Sequence, residues 1–397
     1  MNLLSQFIAA SGVSKVPTPY LTWSFLSTVA ACVADRVWYE RAPGHRVRPN
    51  LYVLLLGPSG IGKGDAIKEV LKLVADIPQV RLYQGRATAE FIRDRLGKVR
   101  HRPDGTEIPP IPQLFLVNEE LVFCVGVGPP AFEMVSVLVQ IYGGNPAAIR
   151  DGTRTRGEIV MHNPCVNWLA GTNRAWLVRS MPDDAVAGGL SRRLVVVEQD
   201  YRDVRITHPQ FPPEREAWMA EIEQRLLALT ECHGAFTADP DALAVFDEWY
   251  QQRPLTDDVA LRPWWETQDE LVLKVSMIMS LCESDSLRIE RRHMVKAQTM
   301  TEETKKWVSN AIEYTTARSD STSLHYAQEL IQSAGQLSDR VLAQKLAGRG
   351  VLKNEKMEIV ETLLGAGEIV RMVQGPRGAT WYQWVSRRRM PEGEETS

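Results

Sequence analysis

A glycine-rich turn near the start of the chain has the residue types needed to bind phosphate. Residues Gly57–Lys63 read Gly-Pro-Ser-Gly-Ile-Gly-Lys, which fits the pattern G-x-x-x-x-G-K. Glycines let backbone amides turn toward a phosphate, and the amino end of a following helix adds partial positive charge. Lys63 would reach the β- and γ-phosphates. The predicted ATP site comprises Gly57, Pro58, Ser59, Gly60, Ile61, Gly62, Lys63, Gly64 and Asp65.

The residue after the lysine departs from this pattern. Ser or Thr normally stands there and binds Mg²⁺ through its hydroxyl, whereas this chain has Gly64 followed by Asp65. Three interpretations stay open: Mg²⁺ is held through water and a second acidic motif, Asp65 replaces the hydroxyl, or the site hydrolyses nucleotide slowly. We prefer the first, because a carboxylate that faces phosphates is a poor fit.

Two adjacent carboxylates follow the apolar run Leu114–Val117. We predict that Glu119 contacts Mg²⁺ through water and that Glu120 polarises the attacking water. The first acid of such a motif is usually Asp, but Asn118 stands at that position, so the roles pass to the two glutamates. The alternative is an ordinary solvated strand end. The distance from Gly57–Lys63 favours the functional interpretation, since it fits one further strand–helix unit.

Two further positions could complete a triphosphate site. The apolar run Cys165–Ala170 ends near Thr172 and Asn173, either of which could sense the γ-phosphate, although a plain turn is the simpler interpretation. Arg192 lies just before the apolar run Leu194–Glu198. It could act on the nucleotide of a neighbouring subunit as an arginine finger, or form an ordinary surface ion pair.

Basic residues at two places could contact DNA phosphates. Arg150, Arg154 and Arg156 lie in a polar stretch that could form a hairpin. The other candidates are in the C-terminal region: Lys353, Lys356 and Arg377, followed by the basic run 386–389. Three acidic residues on the same predicted helix would repel DNA, so protein docking stays open for that region. They are Glu355, Glu358 and Glu361.

Buried strands must position these residues. Four runs are apolar nearly throughout, which is typical of strands buried on both faces of a parallel sheet. They are Leu51–Leu56, Leu114–Val117, Val166–Ala170 and Leu194–Glu198. Helical patterns between them predict an α/β layer architecture of the P-loop NTPase type. The glycine turn follows the first run, and the helix after it has apolar residues at helical spacing.

Helical patterns predominate outside this core. Met1–Asn50 is predicted helical, and Pro209–Ala317 loses the strand signal in favour of helices such as Trp218–Leu229 and Leu271–Cys282. Ser321–Val385 is predicted to form three helices and a strand pair, a winged helix-turn-helix. The helices are Ser323–Ser333, Ser338–Leu346 and Asn354–Leu364; the strands are Glu368–Val373 and Thr380–Val385. The predicted domains are 1–48, 49–205, 206–318 and 319–386, with a tail at 387–397 predicted to be disordered.

Composition sets outer limits. The chain has 397 residues, a formal net charge of −3, 44% hydrophobic residues and five cysteines. These values suit a globular protein of two or three domains. The cysteines are widely spaced without a C-x-x-C pair, which disfavours a disulfide framework or zinc site. No signal-peptide pattern or apolar run of ~18 residues is present. We therefore expect a cytoplasmic protein, in its native cell or in a host, without a membrane partner.

The order of these motifs resembles that of phage and prophage AAA+-like ATPases of the superfamily 3-like type, identified as replicative helicases or primase-helicases. The resemblance covers about Thr18–Thr301. The segments that carry it are Asn50–Gly60, Tyr142–Gly144, Thr153–Glu158, Asn163–Cys165, Met181–Ala185 and Gly188–Arg192.

The resemblance implies a homo-oligomeric ring, expected to be a hexamer, that binds ATP and Mg²⁺ between subunits. It maps Glu120 onto the acidic residue of the family and Arg192 onto its arginine. Together with the motifs described above, the predicted catalytic residues are Lys63, Glu119, Glu120, Asn173 and Arg192. It implies a DNA helicase or translocase of phage-type replication, working on single-stranded or forked DNA with other replication proteins. One alternative is an origin-binding or helicase-loader ATPase switch. Another is a nucleotide-bound structural or regulatory assembly with little hydrolysis.

Overall fold

The protein is described by a computed structural model that covers residues 1–101, 104–126, 129–143, 148–153, 157–181, 189–202, 206–254, 256–347, 351, 353–374 and 379–385. The chain divides into two compact units, Met1–Tyr314 and Thr315–Ser397. Each unit has buried side chains of its own. Within the described residues, no helix combines the length and the apolar character that a membrane span requires.

The first unit alternates helices and strands. Its helices are α1 (Leu3–Ser11), α2 (Thr18–Val33), α3 (Lys63–Val74), α4 (Ala89–Gly97), α5 (Val122–Val125), α6 (Pro129–Tyr142), α7 (Arg174–Ser180), α8 (Arg215–Leu229), α9 (Pro240–Gln252), α10 (Arg262–Glu266), α11 (Gln268–Glu283) and the start of α12 (Arg291–Ala334). Its strands are β1 (Val37–Ala42), β2 (His45–Val47), β3 (Tyr52–Leu56), β4 (Leu82–Gln84), β5 (Arg100–His101), β6 (Glu107–Ile108), β7 (Gln113–Asn118), β8 (Ile149–Thr153), β9 (Gly157–Met161), β10 (Cys165–Thr172), β11 (Leu194–Glu198), β12 (Gly234–Ala238) and β13 (Arg288–Ile289).

A five-stranded, all-parallel sheet lies at the centre of this unit, in the order β11-β3-β10-β7-β4. Helices cover both faces of the sheet, and the evidence is that alternate residues of a strand belong to two different apolar clusters. Val53 and Leu55 pack in the cluster that contains α2 and α3, whereas Leu54 and Leu56 pack in the cluster that contains α4 and α6. The expected mixed α/β fold with a parallel sheet and flanking helices is confirmed.

The strand order opens a crevice at the carboxyl edge of the sheet. Strands β3 and β10 are neighbours, but the helices that follow them lie on opposite faces. Ile67 of α3 belongs to one apolar cluster and Leu177 of α7 to the other. Connections that leave adjacent strands in opposite directions create the crevice in which open α/β sheets bind ligands.

A second sheet corrects the helical prediction for Met1–Asn50 and for Pro209–Ala317. Strands β1 and β2 form a hairpin, and β1 pairs in parallel with β12, giving the order β13-β12-β1-β2. These strands have two to six residues and join distant parts of the chain. No single window of sequence therefore carries a long alternating pattern for them.

The second unit begins within α12 and contains β14 (Gln336–Ser338), α13 (Asp339–Ala347), α14 (Lys353–Gly365), β15 (Ile369–Gln374) and β16 (Ala379–Trp384). The strands form an antiparallel sheet in the order β14-β16-β15. The later helices and the strand pair match their predicted positions within two residues. The predicted helix Ser323–Ser333 is the end of α12, and the short strand β14 was not predicted.

Candidate functional site

The glycine turn leaves β3 at its carboxyl end and leads directly into α3. Gly60 has φ +82° and Gly62 has φ +112°, a left-handed region that glycine enters at little cost. Gly62 caps the amino end of α3. A Cβ atom at position 60 would meet no heavy atom within 4 Å, so the tip of the turn is open. The turn can therefore present backbone amides and a helix terminus to an anion.

Lys63 is the first residue of α3 and is only 7% exposed. Its Nζ donates to the carbonyl oxygens of Gly57, at 2.7 Å, and Pro58, at 2.8 Å. Burial lowers the pKa of Lys63, while the nearby charge of Glu120 acts in the opposite direction. The ammonium group thus lies inside the turn, bound to carbonyl oxygens that a phosphate would have to replace.

The N-terminal helices shape this turn, which sequence reasoning did not anticipate. The Tyr20 hydroxyl of α2 donates to the Leu56 carbonyl at 2.6 Å. A Cβ atom on Gly57 would lie 2.5 Å from that hydroxyl and 2.3 Å from the carbonyl oxygen of Gln199. Position 57 therefore accepts only glycine for lack of space. The sequence motif predicted glycine at position 57 from its spacing alone. It did not reveal Tyr20 and Gln199, the neighbours that leave no space for a side chain there.

Asn118, at the end of β7, has a structural position. Its Nδ2 donates to the Gly85 carbonyl at 2.6 Å, and its Oδ1 accepts from Trp168 Nε1 at 3.2 Å. Both ends of the amide are therefore occupied, and the side chain is 2% exposed. The Asn118 side chain therefore joins the end of β7 to Gly85 and to Trp168 of β10.

Glu119 lies against both the start of α3 and the end of β10. A Cβ atom on Gly64 would lie 3.1 Å from Glu119 Oε2, and one on Gly171 would lie 2.5 Å from the Glu119 carbonyl oxygen. The same carboxylate oxygen is 3.4 Å from Lys68 Nζ. The structure thus brings the glycine turn, the acidic motif and β10 into direct contact.

Glu120 has one carboxylate oxygen without a partner. Its Oε2 is buried and accepts no hydrogen bond from any described residue. A buried, unsatisfied carboxylate oxygen is costly, and such groups mark places where a ligand or water is to be bound. Its charge acts on Lys63, so the two groups lie close enough to sense each other. The role of Glu120 in activating water stays a prediction.

Asp65 lies in the first turn of α3, and its side chain is exposed. A carboxylate there interacts favourably with the helix dipole whether or not a metal is bound. Its position therefore has an ordinary explanation.

The end of β10 brings Thr172 and Asn173 to the same edge. The Thr172 carbonyl accepts from the Gly57 amide at 3.2 Å, while its side chain is fully buried. Asn173 caps α7, with its Oδ1 accepting from the Trp176 amide at 2.9 Å. Asn173 is thus held in place at the carboxyl edge by its capping bond.

A polar network at the end of β11 was missed by sequence reasoning. Glu198 is 4% exposed and accepts from Arg174 at 3.0 Å, Tyr314 at 3.0 Å and Asn310 at 2.7 Å. Burial and then the bond to Glu198 raise the pKa of Tyr314 to about 12. Glu198 and Thr172 both pair with Leu56, so the network borders the glycine turn. Only the register of separate strands reveals this grouping.

Arg192 lies at the opposite edge of the sheet. It belongs to a short 3-10 turn, Ser191–Arg193, that precedes β11. Because β11 has five residues and runs parallel to β3, Arg192 is separated from its own glycine turn by about 16 Å. Its side chain is exposed, and its carbonyl accepts from the Thr267 hydroxyl at 3.1 Å. The Arg192 side chain therefore does not reach the glycine turn of its own chain.

The predicted DNA-contacting residues lie in the β8–β9 hairpin and in the second unit, and three of them are not described by the structure. Arg154, Arg156 and Arg377 lie outside the described residues. The hairpin expected around the first two is present as β8 and β9, in which Arg150 pairs with Glu158 at 2.8 Å.

In the second unit, Lys353 is exposed, whereas Lys356 Nζ lies 2.5 Å from Asp339 and its side chain is 13% exposed. Lys356 therefore helps to join α13 and α14, and the structure gives it this structural role instead of an open phosphate contact.

The acidic residues fit the chemistry of a nucleotide-bound Mg²⁺ ion. Across the described residues, no group of three or more His, Cys, Asp or Glu side chains is arranged to hold a metal by itself. Mg²⁺ at nucleotide sites takes most of its ligands from phosphates and water, with one or two from protein. Glu119, beside the start of α3, lies where such an ion could be held, directly or through water.

No protein-family model matches this sequence, and no curated protein matches it.

Proposed function

We propose that the Met1–Tyr314 unit binds ATP with Mg²⁺ at the Gly57–Lys63 turn and hydrolyses it. One observation carries the proposal. The turn, the acidic pair and the end of β10 meet at the carboxyl edge of a parallel sheet, with Glu119 in contact with positions 64 and 171. That edge, between strands with oppositely directed connections, is where open α/β sheets bind ligands.

The residues of this site would share the work in a defined way. Backbone amides of the turn and the Lys63 ammonium would hold the phosphates, once Lys63 leaves the Gly57 and Pro58 carbonyls. Mg²⁺ would neutralise charge on the phosphates. Glu120, whose Oε2 has no described partner, would take a proton from the attacking water. Asn173 would sense the γ-phosphate from the end of β10.

We propose that the active form is a ring, expected to be a hexamer, in which Arg192 acts on a neighbour's nucleotide. Its exposed side chain at the amino edge of the sheet supports this assignment, because it is too far from the site of its own chain. An arginine supplied from a partner stabilises charge that develops on the transferred phosphoryl group.

We propose that hydrolysis drives movement along DNA. The support is the resemblance to phage replicative helicases, the arrangement α12-β14-α13-α14-β15-β16 of the second unit, which follows the order of a winged helix, and the exposed Lys353. The acidic residues Glu355, Glu358 and Glu361 on α14 favour a second candidate, a nucleotide-dependent switch whose second unit docks to protein.

Steady-state ATP turnover, measured with and without single-stranded DNA, separates these functions. We expect DNA to stimulate turnover, and Glu120→Gln to lower it by about 100-fold or more while nucleotide binding persists. Binding without DNA-stimulated turnover would favour the switch. Absence of nucleotide binding in the unaltered protein would contradict the ATPase proposal itself.

A further inference from the structure

The position that departs from the phosphate-loop pattern is in contact with the acidic motif. Where most such loops have a hydroxyl, this chain has Gly64, and a Cβ atom there would lie only 3.1 Å from Glu119 Oε2. A serine side chain at position 64 would therefore crowd the Glu119 carboxylate, which would have to shift by a few tenths of an ångström. Two departures from the pattern meet at one point: glycine in place of Ser or Thr at position 64, and an acidic pair that begins one residue after Asn118, where Asp is usual.

The sizes of these residues compensate. Compared with serine, Gly64 lacks two side-chain atoms on the helix side, and the Glu119 carboxylate extends from the end of β7 toward that position. The Glu119 backbone is also fixed, because a Cβ on Gly171 would lie 2.5 Å from its carbonyl oxygen and the Leu121 amide donates to the Gly171 carbonyl at 2.7 Å. The Glu119 side chain therefore extends toward α3 from a backbone whose position is fixed.

Lys68 shows that this carboxylate oxygen already faces a cation. Its Nζ lies 3.4 Å from Glu119 Oε2, and it follows Gly64 by four residues, on the same face of α3. Both side chains are substantially exposed, so this ion pair is weak and easily exchanged for a metal.

We propose that Glu119 binds Mg²⁺ directly, in the ligand position that a hydroxyl at residue 64 would otherwise occupy, and that Gly64 is required because it leaves room for this carboxylate. The inference rests on the proposed nucleotide site. It replaces our sequence-based expectation that Glu119 acts through water. It also explains why residue 64 is glycine, since glycine leaves room for the carboxylate. Mg²⁺ prefers oxygen ligands such as a carboxylate, at short distance and in strict geometry.

The proposal makes an unusual prediction: restoring the common hydroxyl should harm metal binding. The measurement is Mn²⁺ affinity, by electron paramagnetic resonance, for the full-length protein saturated with ADP. Gly64→Ser and Glu119→Asp should each weaken Mn²⁺ binding by about tenfold or more, the first by crowding the carboxylate and the second by shortening it. The double variant should recover to within about threefold of the unaltered protein, since serine supplies a ligand and Asp leaves it room.

Two results would overturn the proposal. One is equal or tighter Mn²⁺ binding in Gly64→Ser; the other is a double variant at least as weak as both single variants. Should Gly64→Ser not fold, Glu119→Gln and Asp65→Asn decide: loss confined to Glu119→Gln supports the proposal, and loss confined to Asp65→Asn, or in neither, overturns it. Asp76→Asn, at an exposed acid just after α3, is the matched control.

Metal-free ADP affinity, measured in chelator, tells this inference apart from the proposed function. If the unaltered protein binds neither ADP nor ATP, the nucleotide site itself is wrong. The unaltered protein could instead bind ADP while Gly64→Ser binds Mn²⁺ equally or more tightly, or while the double variant is at least as weak as both single variants. The ATPase proposal would then stand, and only the direct binding of Mg²⁺ by Glu119 would be contradicted.

Discussion

At the scale of single residues, the site depends on glycines whose missing side chains allow close contact. Gly171 is the clearest case, since a Cβ there would lie 2.5 Å from the Glu119 carbonyl and 3.6 Å from Lys63 Cβ. The motif Gly57–Lys63 could be found from sequence because its residue types and spacing are fixed by phosphate chemistry. The need for glycine at position 171 could not, because the atom that requires it belongs to another strand.

Replacing Gly171 with alanine should displace the acidic motif from the glycine turn. We expect a loss of about 1–3 kcal/mol in the free energy of unfolding, the usual cost of forcing an extra group into a packed site. Urea unfolding measures this loss. Gly143→Ala is the matched control, because a Cβ at position 143 would meet nothing within 4 Å. Equal stability of the two variants would show that the contact with Glu119 is easily relieved.

At the scale of elements, polar networks at the carboxyl and the amino ends of the parallel strands join the sheet to the helices packed against it. The four longer central strands were predictable within two residues, because buried parallel strands are apolar throughout. Strand β4 was not predicted: it has three residues at the sheet edge, and none of them is fully buried. The sheet that pairs β1 with β12 depends on contacts between residues such as Val37 and Gly234, which no local pattern reveals.

Glu198→Gln should weaken the network that joins β11, α7 and α12. The amide removes the charge that accepts from Arg174 and Tyr314, and we expect a loss of about 1–3 kcal/mol in unfolding free energy. The pKa of Tyr314 should also fall from about 12 toward its ordinary value of 10, since one cause of its rise is removed.

Ultraviolet titration of the phenol, together with urea unfolding, checks both effects. Asp200→Asn is the control, because Asp200 pairs with the same arginine but is 52% exposed and should cost less than about 1 kcal/mol. A Tyr314 pKa that does not move in Glu198→Gln would contradict the assigned network.

At the amino edge, Lys274→Met should produce a pH-dependent loss of stability. Lys274 is buried and lies 3.3 Å from Glu270 and 2.8 Å from Asn50. We expect a loss of about 2 kcal/mol at pH 7, less than for a fully buried pair because the Glu270 side chain is 31% exposed.

The sign of the pH dependence follows from the pKa of Glu270. Burial raises this pKa, but the charge and hydrogen bond of Lys274 outweigh burial, so the pKa lies below its usual 4.5. The stabilisation is therefore present above pH 4.5 and lost as the pH falls through the folded-state pKa. The difference between the unaltered protein and Lys274→Met should narrow below that pH. A constant difference in urea unfolding from pH 7 to about pH 3.5 would contradict this account.

At the scale of the whole molecule, the two units have separate cores. Buried side chains of the two larger clusters come from Leu3–Ile312, and those of the third come from Ala327–Tyr382. We therefore expect two thermal unfolding transitions by calorimetry. ATP with Mg²⁺ should raise the midpoint of only the larger one, because a ligand stabilises the unit that binds it. A single transition, or a shift of the smaller one alone, would contradict this division.

Equilibrium binding of a fluorescent ATP analogue tests the central claim most directly, since every role proposed here requires a triphosphate at the Gly57–Lys63 turn. The account predicts saturable binding by the unaltered protein and a loss of affinity of about tenfold or more in Lys63→Ala. Lys72→Ala, which removes an exposed lysine from the same helix, should bind as the unaltered protein does. Undetectable binding by the unaltered protein, or equal affinity in Lys63→Ala, would contradict the account.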